Sequence, residues 1–129
     1  MDEPPSERIG GYAHALIYRV PVKNHKAFAD TEGKLATIFI KCGILSSNFF
    51  VLSSTDTFKG FTSVSKAVSA RPDEEVWLEL DFYKDKADKD AVVARIGKEP
   101  DAGPLFGQIL TLVAPRSEPL QGDFGRTPV

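Results

Sequence analysis

The chain has 129 residues, 42% hydrophobic and 26% charged, which suits one soluble domain with one core and leaves too little chain for two. Sixteen basic against eighteen acidic side chains give a net charge of −2, without the basic footprint of a nucleic-acid binder. One cysteine, Cys42, excludes an internal disulfide and a multi-cysteine zinc site, and two histidines argue against an all-protein transition-metal site, so neither metal nor cofactor is expected.

The N-terminal Met1-Asp2-Glu3-Pro4-Pro5 lacks the basic and apolar regions of a secretory signal. No apolar run approaches the roughly 20 residues that span a bilayer. A cytoplasmic location, with no membrane partner, is the expectation, and a lone thiol fits a reducing compartment. Residues 1–9 and 116–129 are short of apolar groups and carry prolines, so they read as weakly ordered tails around one domain, 10–115.

Tyr12 to Val20 is aromatic and β-branched enough for a strand, limited by Pro21. Asn24 then stands as an N-cap. Ala27, Phe28, Thr31, Leu35, Ile38, Phe39 and Cys42 recur at three- and four-residue spacing, which predicts an amphipathic helix of about five turns. Gly43 takes the place of a C′ glycine, and Gly33 inside the helix either permits close packing or marks a weak point. Ile44–Ser54 reads as a second strand around Phe49-Phe50-Val51-Leu52. Residues 55–73 fit a helix or an edge strand equally well.

Glu75–Tyr83 is a third strand, with Val76, Leu78, Leu80 and Phe82 on one face and Trp77, Glu79, Asp81 and Tyr83 on the other. Asp85, with Asp88 in the reciprocal position, caps a second helix that ends at Gly97, and Lys86 and Lys89 alternate with acids along it. Gly103–Gly107 reads as a turn without the context of a phosphate loop, and Gln108–Ala114 as the last strand, stopped by Pro115. The order is β-α-β-β-α-β, an α+β, ferredoxin-like antiparallel sheet with two helices on one face. Trp77 and Tyr83, opposite the aliphatic row, motivate a second sheet packed on their face, hence a homodimer forming a dimeric α/β barrel.

The chain resembles the YbaA-like family of uncharacterised proteins, within the dimeric α/β-barrel superfamily. The likeness rests on Gly11-Tyr12 and Tyr18-Arg19-Val20-Pro21 before Lys23-Asn24, on Cys42-Gly43-Ile44-Leu45, and on Asp73–Trp77 leading through Phe82-Tyr83 and Asp85–Ala91 to Glu99-Pro100. It covers residues 10–115. It implies the fold, the dimer and pockets between sheet and helices, but no activity. Such proteins end on a Gly-Gly-Phe-type strand, which Gly107–Val113 does not match.

Candidate chemistry is sparse. His14 shares a strand face with Tyr12, Leu16 and Tyr18, so it is a candidate general acid or base assisted by Tyr18. The simpler reading is a packed histidine. Glu79 and Asp81 point the same way, roughly 7 Å apart by strand rise, and paired carboxyls can divide acid and base roles. The simpler reading pairs them with Arg19 or lysines. Trp77 and Tyr83 are candidates to stack a ligand, or to anchor an interface. His25 reads as solvent-facing and Cys42 as core. The function expected is a small homodimer of unassigned activity, with a cofactor-independent enzyme or binding module for a small apolar or aromatic metabolite as the alternative.

Overall fold

The computed structural model describes residues 10–129. Strand β1 spans Tyr12–Pro21 and helix α1 His25–Lys41, joined by a 3-10 turn at Val22–Asn24. Strand β2 is Ser46–Val51, α2 a single turn at Val64–Ala67, and β3 Glu74–Tyr83. Helix α3 is Lys86–Ile96, α4 Ala102–Leu112 and β4 Leu120–Gly125. The four strands form one antiparallel sheet in the order β2-β3-β1-β4, the ferredoxin-like arrangement that the sequence predicts.

Local chemistry explains most boundaries. The stripe of α1 buries Phe28, Thr31, Leu35 and Phe39, and the helix ends as Ile44 N–H donates to the Phe39 carbonyl. Gly43 has φ +107°, and a Cβ there would lie 2.8 Å from the Arg95 guanidinium, which donates to the Cys42 carbonyl. Asn24 flanks α1 but does not cap it; its amide donates to the Leu112 carbonyl and ties α1 to the end of α4. Asp85 does cap α3, accepting from Asp88 N–H, while Asp88 accepts from Lys84 N–H. Residues 55–73 hold only α2, started by Ser63, and Phe58 and Phe61 stand exposed before it.

Three expectations are corrected. Gln108–Ala114 is not a strand: Gly103–Leu112 lies within helix α4, whose Pro104 falls in the first turn, where a missing N–H costs no helical bond. The final strand lies instead in the segment read as a weakly ordered tail, pairing with β1 from Tyr12 opposite Gly125 to Ile17 opposite Leu120. It reads Leu120-Gln121-Gly122-Asp123-Phe124-Gly125. The expected tail at 1–9 lies outside the described residues.

The third correction is the side of the sheet that the helices cover. They pack on the face of Trp77, Glu79, Asp81 and Tyr83, all at most 5% exposed, and Phe28 of α1 meets Trp77 edge-on at 4.9 Å. The open face is the aliphatic one. Register places Phe50, Leu78 and Ile17 side by side with Leu120, and Phe82 and Ala13 with Phe124. Phe50, Leu120 and Phe124 are more than half exposed. The rule that the most aliphatic row faces the helices fails here because β3 directs carboxyl groups inward.

Candidate functional site

A cavity of about 390 Å³ lies between the inner sheet face and helices α1, α3 and α4. Strand alternation sets its floor: His14, Leu16 and Tyr18 come from β1, Glu79, Asp81 and Tyr83 from β3, and Gln121 from β4. Helix α1 adds Glu32, Leu35 and Phe39, and α4 adds Phe106 and Ile109. The walls are therefore mostly apolar, with polar groups concentrated on the sheet, the usual make-up of a small-molecule pocket.

Three carboxyl groups are sunk into this space. Glu32, Glu79 and Asp81 are 2%, 3% and 2% exposed. Tyr18 donates its hydroxyl to Glu79 Oε1 at 3.2 Å, and Ser47 of β2 donates to Asp81 Oδ1 at 2.6 Å. Glu32 Oε1 is buried with no hydrogen-bond partner. Among the described residues, no Lys, Arg or His forms an ion pair with any of the three. Arg19, expected to pair with Glu79 or Asp81, instead grips Glu74 at 2.9 and 3.2 Å.

Electrostatics follows from this enclosure. Burial pushes the Glu79 carboxyl up to about 11, aided by hydrogen bonding to Asp81 and by the charges of Asp81 and Glu32. Burial and the Asp81 charge push Glu32 up to about 8, against a hydrogen bond from Glu79. Both side chains hold protons at neutral pH. Burial, with the neighbouring carboxylates, also raises the Tyr18 and Tyr83 phenols.

A second polar group borders the same cavity. His14 Nδ1 lies 2.5 Å from Asp123 Oδ1, and Lys89 Nζ reaches both Asp123 oxygens at 2.7 and 2.8 Å. Tyr12 adds a hydroxyl bond to Asp123 at 2.9 Å. Burial alone would raise the Asp123 carboxyl, but hydrogen bonds from Lys89, His14 and Tyr12 hold it well below the usual carboxylate range. With Nδ1 tied to a carboxylate, Nε2 is the ring nitrogen left for chemistry.

The structure thus brings His14, Tyr18, Glu79, Asp81 and Tyr83 to one cavity. It does not bring Trp77 there: that ring packs against Phe28 and His25, and its indole N–H donates to Glu75. His25 is half exposed and meets Glu75 at 2.7 Å. Cys42 is buried. Sequence reasoning missed Glu32, Lys89 and Asp123. Glu32 left a signal, being an acid on the apolar stripe of α1, four residues after Phe28 and three before Leu35. Lys89 and Asp123 left none, since their meeting depends on β4.

Among the described residues, no three His, Cys, Asp or Glu side chains are placed to hold a metal ion, and no helix is long and apolar enough to cross a membrane. A family model described as a protein of unknown function (DUF1428) matches residues 11–109. No curated protein matches the sequence. Solved structures match the fold across nearly the whole chain. An uncharacterised NIPSNAP domain protein from Burkholderia xenovorans is 9% identical, with a TM-score of 0.57 over 90% of this chain and 94% of that one. SnoaB, a cofactor-independent oxygenase from Streptomyces nogalater, is 11% identical, with a TM-score of 0.53 over 93% and 97%. An Arabidopsis thaliana protein is 14% identical, with a TM-score of 0.57 over 92% and 97%. Identities this low speak for the fold alone.

Proposed function

Because the chain belongs to the DUF1428 family, whose function is unknown, we propose its role from the cavity itself: an acid–base enzyme, independent of cofactors, acting on a small apolar or aromatic metabolite. The observation that carries this is the shared cavity of a His14–Asp123 pair and a buried carboxyl, Glu79, that holds its proton at neutral pH. His14 takes a proton through Nε2, with Asp123 fixing the ring. Glu79 supplies one, oriented by the Tyr18 hydroxyl, and Asp81 beside it keeps it protonated. Tyr83 and the apolar walls hold the ligand body. The likeness to SnoaB supports this reading only through the fold.

We read the working unit as a homodimer closed across the aliphatic sheet face, where Phe50, Leu120 and Phe124 are exposed side by side with Leu78 and Phe82. The kinship with YbaA-like proteins and a cytoplasmic location belong to the same reading, supported by the element order and the free Cys42. Native mass spectrometry of freshly purified protein tests it. The expected species is two chains with a discrete small-molecule adduct. Val93 lines the cavity yet is 48% exposed, so Val93→Trp should plug the mouth and remove the adduct without changing the dimer. A bare monomer would overturn the dimer, and an adduct that survives Val93→Trp would overturn the cavity as its site.

A further inference from the structure

Three carboxyl groups share the cavity with two cationic or ionisable nitrogen groups, and both of those are already engaged. Lys89 and His14 converge on Asp123, and Arg19 is held by Glu74. The carboxyl cluster therefore has no cationic partner among the described residues. Glu32 sharpens the point: it occupies a core position on α1, 2% exposed, with Oε1 lacking any partner. A glutamine or leucine would satisfy the packing of that stripe better, and natural cores rarely leave a buried acceptor unmade without a reason outside folding. Metal ligation does not supply the reason, because the acids are not placed as a ligand set.

We propose that the ligand of this cavity carries a protonated amine, whose ammonium group sits among Glu32, Glu79 and Asp81 while its apolar body lies against Leu35, Phe39 and Ile109. An ammonium brings up to three donors, and Glu32 Oε1 is a free acceptor. The enclosed, low-dielectric setting strengthens attraction for a cation and repulsion for an anion. The inference rests on the cavity being the ligand site and adds the charge of the ligand.

Proton linkage follows. The groups facing Glu32 across the cavity are Tyr18 and His14 from β1, Glu79, Asp81 and Tyr83 from β3, and Lys89 from α3; α4 contributes only apolar side chains. Burial holds Glu32 nearer neutrality than Glu79, so a bound ammonium ionises it and a proton leaves to solvent. Amine affinity therefore rises with pH from 6 to about 8 and then levels.

Isothermal titration at pH 7 with 2-phenylethylamine, 2-phenylethanol and phenylacetate compares one skeleton in three charge states. The expected order is amine tightest, at least about tenfold over the alcohol, and phenylacetate weakest. Repeating the amine titration in buffers of different ionisation enthalpy should show proton release. Glu32→Gln should bring amine and alcohol within about threefold, and Asp81→Asn should narrow the same gap. Alcohol or phenylacetate binding as tightly as the amine would overturn the amine inference and leave the cavity standing. No binding by any of the three would overturn the cavity as the site, and the inference with it.

Discussion

Replacing Glu32 with glutamine should change not only how stable the protein is but how stability depends on pH. Glu32 is raised from its ordinary 4.5 to about 8, by burial first and the Asp81 charge second. A carboxyl raised on folding contributes its full stability below the unfolded value, and loses it as pH climbs to the folded one, because the folded chain must keep a proton that the unfolded chain sheds. One proton is worth about 1.4 kcal/mol per pH unit. Wild type should therefore lose on the order of 3 kcal/mol relative to Glu32→Gln between about pH 5 and pH 7.5. Burial holds Glu79 far above this pH range in wild type, so the difference is read chiefly as that of Glu32. Urea unfolding of both at pH 5, 6, 7 and 8 measures it, with the slope against denaturant confirming comparable unfolded states. Two stability curves that run parallel across this range would refute the reasoning and mean that Glu32 ionises in the fold as freely as in water.

Gly33→Ala should stabilise the protein by about 1 kcal/mol, raising Tm by about 4 °C in a calorimetric scan, since Gly33 sits exposed in α1 and an added Cβ meets nothing within 4 Å. Unchanged or lower Tm would show that the glycine relieves something the packing does not reveal. Asp123→Ala removes the shared partner of Tyr12, His14 and Lys89, and should cost about 1–2 kcal/mol in urea unfolding at pH 7. Because the Asp123 carboxyl is lowered on folding, its contribution is present above its unfolded value near about 4 and fades as pH falls below it, so the variant and wild type should converge in acid. A gap that persists unchanged in acid would count against the ion-paired carboxylate.

Much of this fold is legible in the amino-acid order. Helix α1 and its glycine stop, the Asp85 cap and the alternation along β3 are all local signals, and local signals suffice for them. The misreadings have different causes. Ile109-Leu110-Thr111-Leu112 is a short apolar run that suits a strand or a buried helix equally, and only packing on α1 decides it. Leu120–Gly125 carries two glycines and little β propensity, so it becomes a strand only because β1 offers it an edge. The faces of β3 were inverted by a sound rule: in a protein without a buried site, the aliphatic row would face the helices. Here the row of Glu79 and Asp81 does, and that departure marked the cavity.

The pairing of β4 with β1 has a consequence for the life of the chain. β4 follows every other described strand in the sequence, yet it supplies Asp123, the group that orients a histidine near the start. As the chain leaves the ribosome, β1 must wait with an open edge until β4 has been made. A chain broken off before residue 120 lacks both Gln121 of the cavity floor and the Asp123 partner of His14, and it presents β1 as an unpaired template for association. Asp123 thus reaches His14 only through the strand that also closes the β1 edge, so the contact and the protection from aggregation arrive together.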